Sequence, residues 1–131
     1  MKVLIVCNSA VGLDIFRKML MKELINRGAD LSVIIPLSDE KKEIDAEKRI
    51  EQVGCKLIRI PLERRGMNPV KDMGLFRAYF MTIKTEKPAL VITYTIKPNI
   101  YGGFASRILK VSYAVNITGL GTAFQGTGML R

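Results

Sequence analysis

Three short segments carry residue types that could act on a ligand. Asn8-Ser9-Ala10-Val11-Gly12 follows an apolar run and leads into a helical stripe. Gly12 before a helix could let backbone N–H groups approach a phosphate. Tyr94-Thr95-Ile96-Lys97-Pro98-Asn99 offers hydroxyls, an ammonium and a carboxamide, and Thr118-Gly119-Leu120-Gly121-Thr122 offers hydroxyls on a glycine-bearing backbone. Turn chemistry alone explains any one of these segments. Three of them on one rim argue for a site.

Several chemistries are excluded. The chain has no His, so His-based triads, His-ligated zinc and the commonest general base are absent. The only cysteines, Cys7 and Cys55, are far apart in the chain and fit a reducing compartment better than a disulfide framework. A dinucleotide fingerprint needs three glycines after the first strand, and only Gly12 is there; the second strand ends in Pro36 rather than an acid. A nicotinamide-dependent enzyme is disfavoured on both counts. Gly121 and Gly126 have P-loop spacing, but Thr127-Gly128 stand where Lys and Ser or Thr belong. Asp39, Glu40, Glu43, Asp45 and Glu47 read as a loop and helix start suited to the helix dipole, not as a metal cluster. No metal constellation and no catalytic carboxylate pair emerges from spacing.

Positioning those segments requires a scaffold. Val3–Cys7, Leu31–Ile35, Lys56–Ile60, Leu90–Thr93 and Tyr113–Ile117 are short apolar runs, predicting strands buried on both faces of a parallel sheet. Between them, Leu13, Phe16, Leu20 and Leu24 share a helical face that ends at Gly28. Ile44 to Val53 reads as a charged helix stopped by Gly54, with Ile50 and Val53 inward. A third helix starts with Asn68 as N-cap and Pro69 in its first turn, places Met73, Phe76, Phe80 and Ile83 on one face, and closes at Pro88. A fourth runs from Asn99 to Lys110 with Ile100, Phe104 and Ile108 four residues apart. The order βαβαβαβαβ means an α/β fold, a Rossmann-like doubly wound sheet ordered 3-2-1-4-5, with a flavodoxin-like order as the alternative. Such sheets bind ligands beyond the strand ends where the order reverses. Between strands one and four, that crevice is walled by the first two segments and bordered by the third.

At 131 residues the chain has the length of one domain, and no apolar run approaches the roughly 18 residues of a membrane span. The opening run Lys2–Cys7 is too short and too β-branched for a signal peptide. Charge is polarised. Residues 1–54 hold nine basic and nine acidic side chains, whereas 55–110 hold eleven basic against Glu63, Asp72 and Glu86. Such a half favours a polyanion, whether nucleic acid, a diphosphate or an anionic membrane face, with a solvated basic face that keeps the protein soluble as the alternative. Arg64, Arg65, Lys71 and Arg77, interleaved with apolar residues, form the expected membrane-facing set.

The segment Tyr94-Thr95-Ile96-Lys97-Pro98-Asn99-Ile100-Tyr101-Gly102-Gly103-Phe104-Ala105-Ser106-Arg107, with Asn116-Ile117-Thr118-Gly119-Leu120-Gly121-Thr122-Ala123-Phe124, resembles the N-terminal domain of bacterial family 4 glycosyltransferases. The likeness is greatest to those that extend polyprenyl-diphosphate-linked glycans. It implies the N-lobe of a GT-B enzyme, which transfers a sugar from a nucleotide-sugar donor with retention and needs no tightly bound cofactor or metal. By resemblance, Asn8, Ser9, Ala10, Val11 and Gly12 lie near the donor phosphates. Thr95, Lys97, Pro98, Asn99, Asn116, Thr118, Gly119 and Gly121 face the acceptor or the cleft. The implied partners are the nucleotide sugar, a polyprenyl-diphosphate-linked glycan, an anionic membrane and a C-terminal lobe, with no role for nucleic acid. The implied location is cytoplasmic, peripheral at the inner face of the cell membrane.

Two departures accompany the resemblance. Many relatives place a His beside the transferred sugar, so with none here no catalytic residue carries over. The chain also ends at Gly126-Thr127-Gly128-Met129-Leu130-Arg131, before any donor-binding lobe. Residues 1–131 are therefore expected to be an N-terminal domain, incomplete at its C-terminal end and inactive alone. The alternative is a non-catalytic, acceptor-binding or membrane-recruiting subunit of a two-chain transferase.

Overall fold

The computed structural model describes residues 1–61 and 69–116, and the side chains of Phe16, Pro69 and Asn116 lie outside that description. The strands are β1 (Lys2–Val6), β2 (Asp30–Pro36), β3 (Lys56–Ile60), β4 (Leu90–Tyr94) and β5 (Ser112–Asn116). They form one parallel sheet in the order β3-β2-β1-β4-β5, as the sequence predicts. The helices are α1 (Ala10–Asn26), α2 (Lys41–Val53), α3 (Pro69–Glu86) and α4 (Gly103–Ile108), the last preceded by a π-helical turn at Pro98–Gly102.

Strand alternation divides the core into two layers. Val3, Ile5, Leu31, Val33, Ile35, Ile92 and Tyr94 face α1 and α2, where Leu13, Met21, Ala46 and Ile50 cover them. Leu4, Val6, Ile34, Ile60 and Val91 point the other way, against α3 and Ala105 of α4. Both layers are apolar because both faces of the central strands are covered, which is why those strands read as continuous runs. Gly28 and Gly54 follow the ends of α1 and α2 at φ +89° and +114°, left-handed values that a Cβ disfavours.

Three helical expectations need correction. The buried stripe of α3 is Leu75, Tyr79 and Ile83, with Phe76 and Phe80 flanking it, whereas Met73 is 74% exposed. The i, i+4, i+8 spacing of the first three fits the sheet, and Met73 falls outside their arc. Helix α2 begins at Lys41 rather than Ile44, which brings Glu43, Ala46, Glu47 and Ile50 onto one buried face. Around α4 the apolar stripe faces out: Ile100 and Phe104 are 56% and 58% exposed, and the buried face is Gly102, Gly103, Ala105 and Ser106. A Cβ on Gly102 would lie 3.0 Å from Thr93 Cγ2. The turn that leads into α4 therefore packs directly on β4, and a Cβ there would require Thr93 to give by a few tenths of an ångström.

Candidate functional site

Beyond the carboxyl ends of β1 and β4, where the strand order reverses, the structure has an open cleft of ≈ 340 Å³. Cys7, Asn8, Ser9 and Gly12 line it from the β1–α1 connection, and Leu13 and Arg17 from α1. Tyr94 and Thr95 close it from the end of β4. The Arg17 guanidinium carbon lies 4.8 Å from the centroid of the Tyr94 ring, a cation–π contact. Burial raises the pKa of the Tyr94 hydroxyl, and Arg17 pulls it back in part. Thr95 leaves the strand at φ +72°, a left-handed conformation rare for a β-branched residue, so the chain stores strain where it enters the site. Burial lifts the Cys7 thiol to about 12, which makes it an inert part of the wall rather than a nucleophile.

The loop before α1 is held from α2. Ser9 caps the helix, its hydroxyl accepting from the Gly12 N–H at 3.2 Å. The Glu43 carboxylate takes the rest: Ala10 N–H donates to it at 3.0 Å, Val11 N–H at 3.3 Å and the Ser9 hydroxyl at 2.9 Å. Glu43 is only 3% exposed. Farther along, Arg49 on α2 bonds Asp14 on α1 at 2.7 Å, and Arg59 on β3 bonds the buried Glu47 at 2.7 Å. Two of the acids expected to serve only a helix start, Glu43 and Glu47, are thus buried structural partners. Their signal was the i, i+3, i+4, i+7 spacing of Glu43, Ala46, Glu47 and Ile50, visible once the helix starts a turn earlier.

The structure separates the expected site residues into three groups. Asn8, Ser9, Gly12 and Thr95 line the cleft, and Ala10 and Val11 lie behind them on Glu43. Lys97, Pro98 and Asn99 do not line it. The Lys97 ammonium bonds Asp72 on α3 at 3.0 Å, Pro98 is buried, and Asn99 Oδ1 accepts from Thr93 at 2.8 Å. An available carboxylate and a strand-end hydroxyl draw these side chains to the α3 side. The Asp72 carboxyl is held below its ordinary range, first by the hydrogen bond from Lys97 and then by that from Tyr101. Thr118, Gly119, Gly121, Arg64, Arg65 and Asn68, and the side chain of Asn116, lie outside the described residues. Lys71 and Arg77 are exposed on α3. Tyr94, the first residue of the expected wall segment, belongs to the cleft, and so does Arg17, which spacing did not single out.

Among the described residues no group of three or more Cys, Asp or Glu side chains could hold a metal, and no helix is long and apolar enough to cross a membrane. A family model described as glycosyl transferase 4-like matches residues 2–129. No curated protein sequence matches the chain. MurG of Acinetobacter baumannii is similar in structure, with a TM-score of 0.68 and 14% identity over 88% of this chain and 34% of MurG. UDP-GlcNAc 2-epimerase of Neisseria meningitidis gives a TM-score of 0.68 and 12% identity over 99% of this chain and 36% of the epimerase. A deacetylase of teicoplanin biosynthesis reaches 0.76 at 10% identity, over the whole of this chain and 70% of the deacetylase. At these identities the likeness is one of fold. The chain spans about a third of the first and second of these structures.

Proposed function

The chain belongs to the glycosyl transferase 4-like family, and we propose that it is the acceptor-side lobe of a GT-B glycosyltransferase. The family match over residues 2–129 carries this reading. In it, a nucleotide sugar gives its sugar, with retention of configuration, to a hydroxyl of a polyprenyl-diphosphate-linked glycan. No tightly bound cofactor takes part. The cleft supports binding of a hydroxylated ligand: Asn8, Ser9 and Thr95 offer hydrogen-bonding side chains beside the Tyr94 ring. A second lobe supplies most donor contacts, and this lobe without it turns over negligibly. The test incubates the chain with nucleotide sugar and lipid-linked acceptor, alone and with that lobe. Activity only in the pair is expected; ordinary turnover by the chain alone would overturn the two-lobe requirement.

The acceptor places the lobe at the cytoplasmic face of the membrane. Exposed Val70, Met73 and Met81 on α3 and Ile96, Ile100 and Phe104 before and on α4 support that reading, as do exposed Lys71, Arg77 and Lys84. A non-catalytic, acceptor-binding or membrane-recruiting subunit of a two-chain transferase is the second reading, and the exposed apolar and cationic side chains of α3 suit its recruiting role. It differs in one observable. A second lobe that is active with lipid-linked acceptor when this chain is absent would favour it, and dependence of turnover on the cleft residues Ser9 and Thr95 would favour the first.

A further inference from the structure

A Rossmann-like sheet attracts anions to its first helix because the first-turn amides have no partner within the helix. Here all three amides are already engaged. The Ala10 and Val11 N–H groups donate to the two oxygens of Glu43, and the Gly12 N–H donates to Ser9, whose hydroxyl in turn donates to Glu43. The acceptor is a buried carboxylate from another helix, covalently tethered and sealed behind the loop. A ligand phosphate would have to expel that carboxylate or lie against a like charge, and each alternative is unfavourable away from bulk water.

We propose that Glu43 is a resident substitute for a ligand phosphate. It closes the α1 N-terminus to anions and leaves Asn8, Ser9 and Thr95, on the wall of the adjoining cleft, to an uncharged hydroxyl-bearing part of the ligand, with Arg17 over the Tyr94 ring as the cation in the cleft lining. This goes beyond the glycosyltransferase reading, since it assigns an anion selectivity to the chain itself. It also departs from the placement of Asn8–Gly12 next to donor phosphates that the family resemblance implies.

The test is an amide NMR titration of the full chain with inorganic pyrophosphate at constant ionic strength. In the wild type the Ala10, Val11 and Gly12 resonances stay in place. In Glu43→Ala the same three move, and pyrophosphate affinity rises by at least about tenfold. Glu43→Gln keeps an accepting oxygen and removes the charge, so it moves in the same direction with a smaller gain. It also provides a folded variant should the cavity left by alanine unfold the chain. Movement of the three amides in the wild type overturns the proposal, as does a folded variant that gains no pyrophosphate binding.

Discussion

The two faces of the sheet are finished differently. On the α1–α2 face the helices meet through the buried Glu43 carboxylate, on Ser9, Ala10 and Val11, and through an exposed Arg49–Asp14 pair, around a closed apolar layer. On the α3–α4 face the polar tie of Lys97 and Tyr101 to Asp72 is partly buried, and more apolar side chains remain on the surface, from Met73 to Phe104, than the Ile15 and Met19 of α1. The first face satisfies itself and fixes the geometry of the cleft. The second keeps apolar and cationic groups outward, and its unfinished state is what an interacting face requires. The clasped loop of the site and the larger exposed apolar surface thus lie on opposite sides of one sheet.

The largest expected effect is on the closed face. Glu43→Ala leaves two backbone donors and a hydroxyl without their acceptor, and at about 1–3 kcal/mol for each unsatisfied buried group the total reaches about 2–4 kcal/mol after partial hydration. Urea denaturation measures it. A loss under about 1 kcal/mol would remove the contrast between the faces. Next is Gly102→Ala, whose new Cβ would press on Thr93 at 3.0 Å. Overpacking there is expected to cost about 1–3 kcal/mol. Gly103→Ala, with 3.4 Å to the Tyr113 ring, should cost less, and equal losses would mean that α4 shifts freely on the sheet.

The open face is tested with vesicles. Ile100→Ser should weaken binding to anionic vesicles about tenfold, consistent with losing part of the burial of one large apolar side chain, while leaving the urea midpoint in place. Substituting Lys71 and Arg77 by Gln should each remove about 1 kcal/mol and reduce the salt dependence. The same change at Lys41, Lys42 and Lys48, on or near the other face, should matter less, and equal losses would show that only net charge counts. The smallest effect concerns Asp72. Its folded-state pKa is depressed, so its ties to Lys97 and Tyr101 stabilise above the ordinary carboxylate range and fade as pH falls through it. The stability difference between wild type and Asp72→Asn should therefore shrink between pH 6 and pH 3, and a constant difference would assign Asp72 a packing role instead.

The sheet was legible because strands covered on both faces leave continuous Val- and Ile-rich runs, and the crevice followed from strand order alone. The helices were less so. At α4 the apolar stripe was the visible pattern, yet close packing on β4 and β5 favours small residues, and Gly102, Gly103, Ala105 and Ser106 were the informative ones. The spacing of Glu43, Ala46, Glu47 and Ile50 could have marked Glu43 as buried, but its partners could not be read, because the contact of residues 9–11 with 43 depends on α2 lying beside α1. Lys97 and Asn99 were placed on the correct loop and the wrong side of it, since side-chain direction there depends on partners in α3 and β4.

The π-helical turn at Pro98–Gly102 also bears on how this chain can change by mutation. A π turn spends one residue more per turn than an α-helix, so in genetic terms it behaves as a single-codon insertion accommodated without disturbing the helix downstream of it. Removing one codon there, that of the exposed Ile100 for instance, would let the backbone rewind as α-helix. Gly102 to Ser106 could then keep their seat on the sheet, and the residues before the deletion their register, because the widened turn absorbs the lost residue. Diversification of the loop that flanks the site is thereby open to insertion and deletion, with the fold left as it is.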